Sequence, residues 1–235
     1  MRPARREELG LSRPQFALLK KLDTPRKIQD FIDRIPANFE PDGDTCLSVR
    51  EVLRQRRAHC IEGAMLAACA LWIRGEPPLV MDFKASRADD DHVVALFRRL
   101  GRWGAISKTN HVWLRHRDPV YLSLRELAIS YFHEYVNKKG RKTLRAYSRA
   151  LDLRTLDPKL WITNQGNCWQ VAHRVDEIRH YRLVGPAQIR LLRRRDRVER
   201  KAGKLLEHRA PRRRQLAPAA NVAARPISAR RPVRR

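Results

Sequence analysis

The hydrophobic pattern of the chain changes sharply at residue 60. From Cys60 to Ile73 only Glu62 is charged, and the other positions are Ala, Leu, Met, Cys, Ile, Trp and Gly. Gly75 follows where a helix C-terminal cap is expected. A helix that is apolar on all sides packs inside a protein, and this one is shorter than the roughly 20 residues of a membrane span. The pattern therefore predicts a buried central helix.

Capping signals open three further helices, at Thr24, Ser48 and Ser123. Thr24 is followed by proline, which fits the first helical position. Ser48 and Ser123 are each followed three residues later by glutamate, the spacing of a capping box. We expect outer helices to begin at these positions.

Three strands are predicted between the central helix and the helix that starts at Ser123. They are Leu79–Phe83, His92–Phe97 and Trp103–Ser107. Strands separated by so few residues pair as antiparallel hairpins. The order of helix followed by three strands predicts an α+β fold, in which the buried helix packs on a small antiparallel sheet.

The rest of the chain carries weaker patterns. The first ten residues are expected to be disordered, and Pro14–Leu22 to form a short helix. Short strands are predicted at Leu160–Ile162 and Trp169–Ala172, and one arginine-rich helix at Pro186–His208. The predicted organisation is an N-terminal extension (1–23), a core (24–137), a C-terminal extension packed on the core (138–208) and a disordered tail (209–235).

Charge adds a second candidate property. The net charge is +26, and residues 209–235 contain nine arginines and no acidic residue. Such a tail binds polyanions weakly and non-specifically through electrostatics, or is simply solvated. No aromatic residue follows Tyr181, so the stacking that single-stranded nucleic acids use is not predicted there.

Patterns that are missing from the sequence bear on the location of the protein in the cell and on its cofactors. No apolar run is long enough for a membrane span, and the first residues lack the apolar region of a signal peptide, so a cytoplasmic protein is expected. The four cysteines form no CxxC pair and are expected to be free thiols. The Cys and His residues lack metal-ligand spacing, so neither a metal nor another cofactor is expected. The oligomeric state is left open.

Candidate chemistry centres on Cys60, the first residue of the buried helix. The free N–H groups and dipole of a helix N-terminus stabilise a thiolate, and so does a neighbouring imidazolium. His92 begins the second strand after the helix and is the predicted general base. A third group must orient the imidazole, and the candidates are Ser107 and Asn110 at the end of the next strand. His59 is expected to face solvent, because adjacent helical residues point to different faces.

The segment Val52–Ala68 around Cys60 resembles the nucleophile region of the transglutaminase-like superfamily. Asp91-His92-Val-Val is similar to its histidine strand, and Arg102–Ser107 to its aspartate strand. The resemblance covers about residues 24–137. It implies a papain-like Cys–His–Asp arrangement that forms a thioester from an amide or peptide substrate and resolves it with water or an amine.

The sequence departs from that family pattern at two positions. Ala58 replaces the glycine that commonly precedes the cysteine by two, and Ser107 stands where the family places its aspartate. The orienting residue is therefore left open between Asn110 and Ser107. The predicted function is a cysteine-dependent peptidase or amidase. Two alternatives remain: a catalytically inactive binding module of the same fold, and a nucleic-acid-associated protein that uses its basic tail.

Overall fold

The apolar segment that begins at Cys60 forms the central helix of an α+β fold. The computed structural model describes residues 1–210. Its α-helices are α1 Arg6–Leu9, α2 Arg13–Lys20, α3 Pro25–Asp33, α4 Val49–Gln55, α5 Cys60–Ile73, α6 Leu124–Phe132, α7 Pro158–Trp161, α8 Trp169–Glu177, α9 Pro186–Leu191 and α10 Arg197–Ala202. Its strands are β1 Leu79–Ala85, β2 His92–Arg99, β3 Arg102–Ser107, β4 Arg117–Tyr121, β5 Leu144–Ser148, β6 Leu151–Asp152 and β7 His180–Arg182. A short 3-10 helix spans Leu153–Thr155.

The strands form one antiparallel sheet in the order β4-β3-β2-β1-β5-β7, with β6 also paired to β1. The two predicted hairpins, β1–β2 and β2–β3, are confirmed. In their register, Phe83 pairs with His92, and Val94 pairs with Ser107. Successive side chains of a strand alternate between faces, so His92 and Val94, two residues apart in β2, share one face of the sheet. Ser107 lies on the same face because it is directly opposite Val94.

Each face of the sheet carries a hydrophobic core. On one face, α5 packs against β2 through small and branched side chains that include Ala68, Val93 and Ala95. On the other face, Val94 and Leu96 join a second core with the buried face of α6. The almost uncharged composition of α5 follows from this placement, because all its residues from Ile61 to Leu71 are buried.

The N-terminal residues are ordered, so the expectation of disorder for the first ten is wrong. Leu9 and Leu11 are buried, and the N–H of Ala4 donates to the carbonyl of Trp72 at the end of α5. Burial of these leucines provides the driving force for ordering α1. The predicted helix at Pro14–Leu22 corresponds to α2, in which Leu19 is buried.

The predictions for the C-terminal half were less accurate. The strands expected at Leu160–Ile162 and Trp169–Ala172 are wrong, because these segments belong to α7 and α8. Asp157 caps α7, and Val171 and Val175 lie on one face of α8 at helical spacing. The single helix expected at Pro186–His208 is also wrong. The chain leaves the helix after α9, where the N–H of Arg195 donates to the carbonyl of Gly140, and re-enters at α10.

The sequence analysis did not predict four strands of the sheet, which are β4, β5, β6 and β7. Pro119 lies in β4, which is an edge strand, where the missing N–H is tolerated. β5 pairs with β1 and β7 pairs with β5, so the predicted boundary at residue 137 falls within one continuous sheet. The predicted tail, 209–235, lies outside the described residues except for its first two positions.

Candidate active site

A cleft of about 960 Å³ opens at the end of the sheet where β2 begins and β3 ends. Cys60 enters it from the N-terminus of α5, and His92 enters it from the first position of β2. The rest of the wall comes from the 37–45 loop, the 89–91 loop, the 108–114 loop and the segment after α6. Residues from Arg195 to Lys204 close one side. The fold thus brings the predicted nucleophile and base into one cavity.

The start of α5 is fixed by a buried carboxylate. Glu62 accepts a hydrogen bond from the N–H of His59 at 2.8 Å and another from the N–H of Leu47 at 2.8 Å. Its carboxylate also accepts from the hydroxyl of Thr45 at 2.8 Å. The first bond is one half of a capping box, so the residue before Cys60 is the N-cap of the helix. The thiol is therefore carried on a rigid, partly buried helix end.

The thiolate form of Cys60 is favoured. Burial acts to raise the pKa of this thiol, but hydrogen bonds from His59 and then from His92, with the positive charges of both rings, lower the pKa to about 5. An unperturbed cysteine titrates near 8.5. At neutral pH the arrangement therefore presents a thiolate, the nucleophilic form of cysteine.

The protons on His92 can be assigned from its partner. His92 Nε2 lies 2.8 Å from the hydroxyl oxygen of Ser107, and that hydroxyl donates its single proton to the carbonyl of Leu114 at 2.5 Å. The Ser107 oxygen must therefore accept a hydrogen bond from a protonated Nε2 of His92. This assignment leaves Nδ1 as the ring nitrogen available to Cys60. A base must carry the exchangeable proton on the nitrogen that faces the nucleophile.

Ser107 is itself held by Gln29, a buried residue of α3 that the sequence analysis did not single out. The amide nitrogen of Gln29 donates to the carbonyl of Ser107 at 2.8 Å, and its amide oxygen accepts from the N–H of Ser107 at 2.9 Å. The Gln29 side chain thus makes the two backbone hydrogen bonds that a neighbouring strand would otherwise make at the end of β3. The partner of Gln29 lies 78 residues away in the chain, so local sequence patterns do not reveal the contact. The one available signal was a glutamine at a buried position of the predicted helix.

The acceptor for the Ser107 hydroxyl is also fixed. Leu114 adopts a left-handed backbone conformation, with φ of 62°, which is uncommon for a residue with a side chain. Its N–H donates to the carboxylate of Glu134 at 2.9 Å, and Glu134 pairs with Arg117 at 2.6 Å. Arg117 of β4 and Glu134, which follows α6, therefore hold the turn at Leu114 whose carbonyl accepts the hydrogen bond from Ser107.

Of the two candidates for the orienting residue, the structure brings only Ser107 to His92. Both polar atoms of the Asn110 side chain bond to the backbone of His208, at 2.9 Å from the amide nitrogen and 2.7 Å to the amide oxygen. Within the described residues, no hydrogen bond joins Asn110 to His92. Asn110 instead ties the C-terminal segment to the 108–114 loop.

The expectation that His59 faces solvent is wrong. Its side chain is 24% exposed, and its Nδ1 lies 4.0 Å from the sulfur of Cys60. The expectation relied on helical spacing, but the backbone of His59 is extended, with φ of −103° and ψ of −168°. At an N-cap position the side chain can turn back over the first residue of the helix.

The other three cysteines lack these surroundings. Cys46, Cys69 and Cys168 are all buried, and no disulfide joins any of the four. Cys69 lies in the middle of α5, where burial raises the pKa of its thiol. The neighbouring Cys168 and burial raise the pKa of Cys46, whose sulfur lies 3.5 Å from the Cys168 carbonyl oxygen.

One acidic cluster lies outside the cleft chemistry. Carboxylate oxygens of Asp82, Asp91 and Asp176 lie within 4.8 Å of one another. The ammonium group of Lys84 contacts Asp91 at 2.6 Å and Asp176 at 2.8 Å. His180 pairs with Asp82 at 3.0 Å. Lys84 and His180 therefore offset part of the negative charge of this cluster.

Comparison with known proteins gives no relative from which a role could be transferred. No protein-family model matches the chain, and a search of curated proteins finds no significant match. Among the helices of residues 1–210, none has both the length and the apolar character needed to cross a bilayer.

Proposed function

We propose that the protein is a cysteine-dependent hydrolase or acyltransferase that acts on amide or peptide bonds, as a peptidase or amidase of transglutaminase-like type. The observation that carries the proposal is that Cys60 and His92 line one cleft, and that the buried Ser107 bonds to His92. A helix N-terminus supplies the nucleophile, a strand supplies the base, and the next strand supplies the group that orients it.

The proposed reaction begins with attack of the Cys60 thiolate on the substrate carbonyl carbon. The backbone N–H of Cys60, at the free N-terminus of α5, stabilises the oxyanion that forms. Nδ1 of His92 gives its proton to the departing amine as the C–N bond breaks, and a thioester remains. His92 then takes a proton from water or from an amine acceptor, whose attack breaks the C–S bond and restores the thiolate.

Ser107 supports the proton transfers that His92 performs in this reaction. It accepts a hydrogen bond from the N–H at Nε2 and so leaves Nδ1 as the ring nitrogen that exchanges the proton. A hydroxyl is a neutral acceptor, so it stabilises the imidazolium less than an aspartate does. We therefore expect a working site with a lower rate than one in which a carboxylate holds the histidine.

The test is a screen of the full chain against a fluorogenic peptide and amide library, with and without amine acceptors. Cys60→Ser and His92→Gln are expected to abolish turnover of any hit. Cys69→Ala, on the same helix but away from the cleft, is expected to retain it. Turnover that survives in Cys60→Ser would overturn the proposal, because the activity would not need the thiol.

The competing function is a binding module that uses the same cleft without turnover. Ser107 in place of a carboxylate is the feature that favours it. It predicts that Cys60→Ser leaves ligand binding unchanged and that no acyl group appears on Cys60 after incubation with active-site-directed peptidyl electrophiles. Turnover of a library substrate that is lost in Cys60→Ser would exclude it.

A further inference from the structure

Cys60 has a second histidine beside it that the three-residue scheme does not use. Nδ1 of His59 lies 4.0 Å from the sulfur. The ring is held from its other side, because Nε2 lies 2.9 Å from the carbonyl oxygen of Thr45. The imidazole is thus fixed between the 37–45 loop and the thiol.

All the groups around Nε2 of His59 are hydrogen-bond acceptors. The Thr45 carbonyl cannot donate, and the carboxylates of Glu62 and Glu40 lie at 3.3 Å and 3.4 Å. Nε2 must therefore carry a proton. The two carboxylates beside it also favour a second proton on Nδ1, which then points toward the sulfur.

The burial of Glu62 strengthens the case for a charged His59. This carboxylate is fully buried, and its hydrogen-bond donors are the neutral side chains of Asn38 and Thr45 and two backbone N–H groups. Within residues 1–210, its only ion pair is with His59. A buried carboxylate that keeps its charge needs a cation beside it, and the His59 ring is in position to supply one.

We propose that His59 is a second catalytic histidine, which stays protonated through the reaction and stabilises the Cys60 thiolate while His92 moves the proton. This inference rests on the proposed function for its catalytic meaning. It gives the two imidazoles different roles: His59 is a fixed positive charge, and His92 is the acid and base.

The proton count of the reaction is consistent with this division. When the thiolate attacks, its electron pair forms the C–S bond, and the departing amine takes a proton from His92. When water attacks the thioester, its proton goes to His92 and the sulfur leaves as the thiolate. His59 neither gains nor loses a proton, and its charge stabilises the sulfur at the start and at the end, when the sulfur is negative.

The surrounding charges come from every side of the pair. Glu40 and Asp44 belong to the 37–45 loop, Glu62 to α5, and His92 to β2. The other titratable groups lining the cleft are Asp89, Asp90, Asp91, Lys108, His111, Glu134, Tyr135, Lys138, Arg195, Arg200 and Lys204. In the part of the chain that the structure describes, only Glu40, Glu62 and Cys60 contact the His59 ring as ionisable groups, and all three are negative when ionised.

The same contacts shift the pKa values of both groups. Burial acts to lower the pKa of His59, but the hydrogen bond and charge of Cys60, followed by the charge of Glu62, raise it to about 10. Since the pKa of Cys60 is lowered to about 5, the thiolate and the His59 imidazolium coexist between these two pH values.

The first experiment compares the pH dependence of Cys60 alkylation by iodoacetamide in the full chain and in His59→Gln. Glutamine can still donate to the Thr45 carbonyl but carries no charge. We expect the alkylation midpoint to rise by about 1 unit or more, as for loss of a cation beside a titrating group. His173→Gln, an exposed histidine outside the cleft, is the matched control and should not shift it.

The second experiment does not depend on the folding of a His59 variant. The His59 ring is titrated by NMR in the unsubstituted chain and in Cys60→Ala. Coupling between two sites is reciprocal, so removal of the thiol should lower the His59 midpoint by a comparable amount. A ring that already titrates near 6.5 in the unsubstituted chain would overturn the inference.

The outcomes separate this inference from the proposed function. With a substrate in hand, His59→Gln should retain turnover with its acid limb moved to higher pH, whereas His92→Gln should lose turnover at every pH. An unchanged alkylation midpoint in folded His59→Gln would overturn the role of His59 and leave the Cys60–His92 reaction standing. A shifted midpoint without any turnover would support the charge pairing and count against the proposed reaction.

Discussion

Ser107 accepts a hydrogen bond from Nε2 of His92 at 2.8 Å while it donates its own proton to the carbonyl of Leu114. This one-way arrangement occupies Nε2 of His92 and leaves Nδ1 for proton transfer. It also places a neutral oxygen where the resemblance to transglutaminase-like enzymes implies a carboxylate. Substitutions at Ser107 therefore test both the orientation of the base and the cost of the missing charge.

We expect Ser107→Ala to lower kcat by about 2- to 12-fold, which corresponds to the loss of one neutral hydrogen bond. Ser107→Asp should raise activity relative to Ser107→Ala, because a carboxylate stabilises the imidazolium through a charge-assisted bond. The measurement is kcat on a substrate from the library screen. Equal activity of all three forms would show that Ser107 does not orient His92.

Gln29 should matter for the site although it does not line the cleft. Gln29→Leu removes both bonds to the backbone of Ser107 and leaves a buried N–H and C=O without partners, at a cost of about 1–3 kcal/mol each. We expect lower stability in urea unfolding and slower turnover, because the end of β3 loses its position. Gln170→Leu, at an exposed position of α8, is the control. Full activity of a folded Gln29→Leu would contradict the assigned role.

Gly63 allows α5 to approach the 108–114 loop closely. A Cβ at this position would overlap the Cβ of Lys108, so one of the two segments would have to move. We expect Gly63→Ala to cost about 1–3 kcal/mol of stability, as overpacking does, and to displace Cys60 relative to Ser107.

The control for this substitution is Gly166→Ala, whose Cβ would meet nothing nearer than 3.7 Å. Thermal unfolding and the rate of Cys60 alkylation are the two measurements. A Gly63→Ala protein as stable as Gly166→Ala would show that the helix and the loop can separate freely.

The four cysteines should differ widely in reactivity. Cys60 has a pKa of about 5, so its thiolate is almost fully formed at pH 6. The thiolate becomes protonated as the pH falls through the pKa. An ordinary thiol is only roughly 0.3% ionised at pH 6. Brief treatment with iodoacetamide at pH 6, followed by peptide mass spectrometry, should therefore label Cys60 and spare the buried Cys46, Cys69 and Cys168. Equal labelling of all four would exclude a stabilised thiolate.

The arginine-rich C-terminus should govern polyanion binding separately from the cleft. Removing residues 211–235 removes eight arginines. We expect the full chain to bind single-stranded RNA with a steep dependence on salt. The shortened chain should show a smaller slope, by about 0.7 for each phosphate that the removed arginines neutralise. Fluorescence anisotropy across a salt series measures both slopes. Identical slopes would assign any polyanion binding to residues 1–210.

Local patterns determined the elements that carry the candidate site. The apolar run and its flanking residues fixed α5 at Cys60–Ile73, and short spacing fixed the hairpins that place His92 and Ser107 on neighbouring strands. Both patterns depend on interactions between residues close in sequence or on composition alone. The same reasoning failed at α7 and α8, where short apolar segments fit a strand or a helix equally well.

Only the tertiary structure decided which polar groups meet at the site. Asn110 and Ser107 were equivalent candidates in sequence, and the choice depends on His208, which lies 98 residues away and takes both polar atoms of Asn110. Gln29 reaches Ser107 across 78 residues, and the extended N-cap conformation turns His59 back toward Cys60. The packing of segments that are distant in sequence determines such partners. The composition and periodicity of the sequence do not reveal that packing.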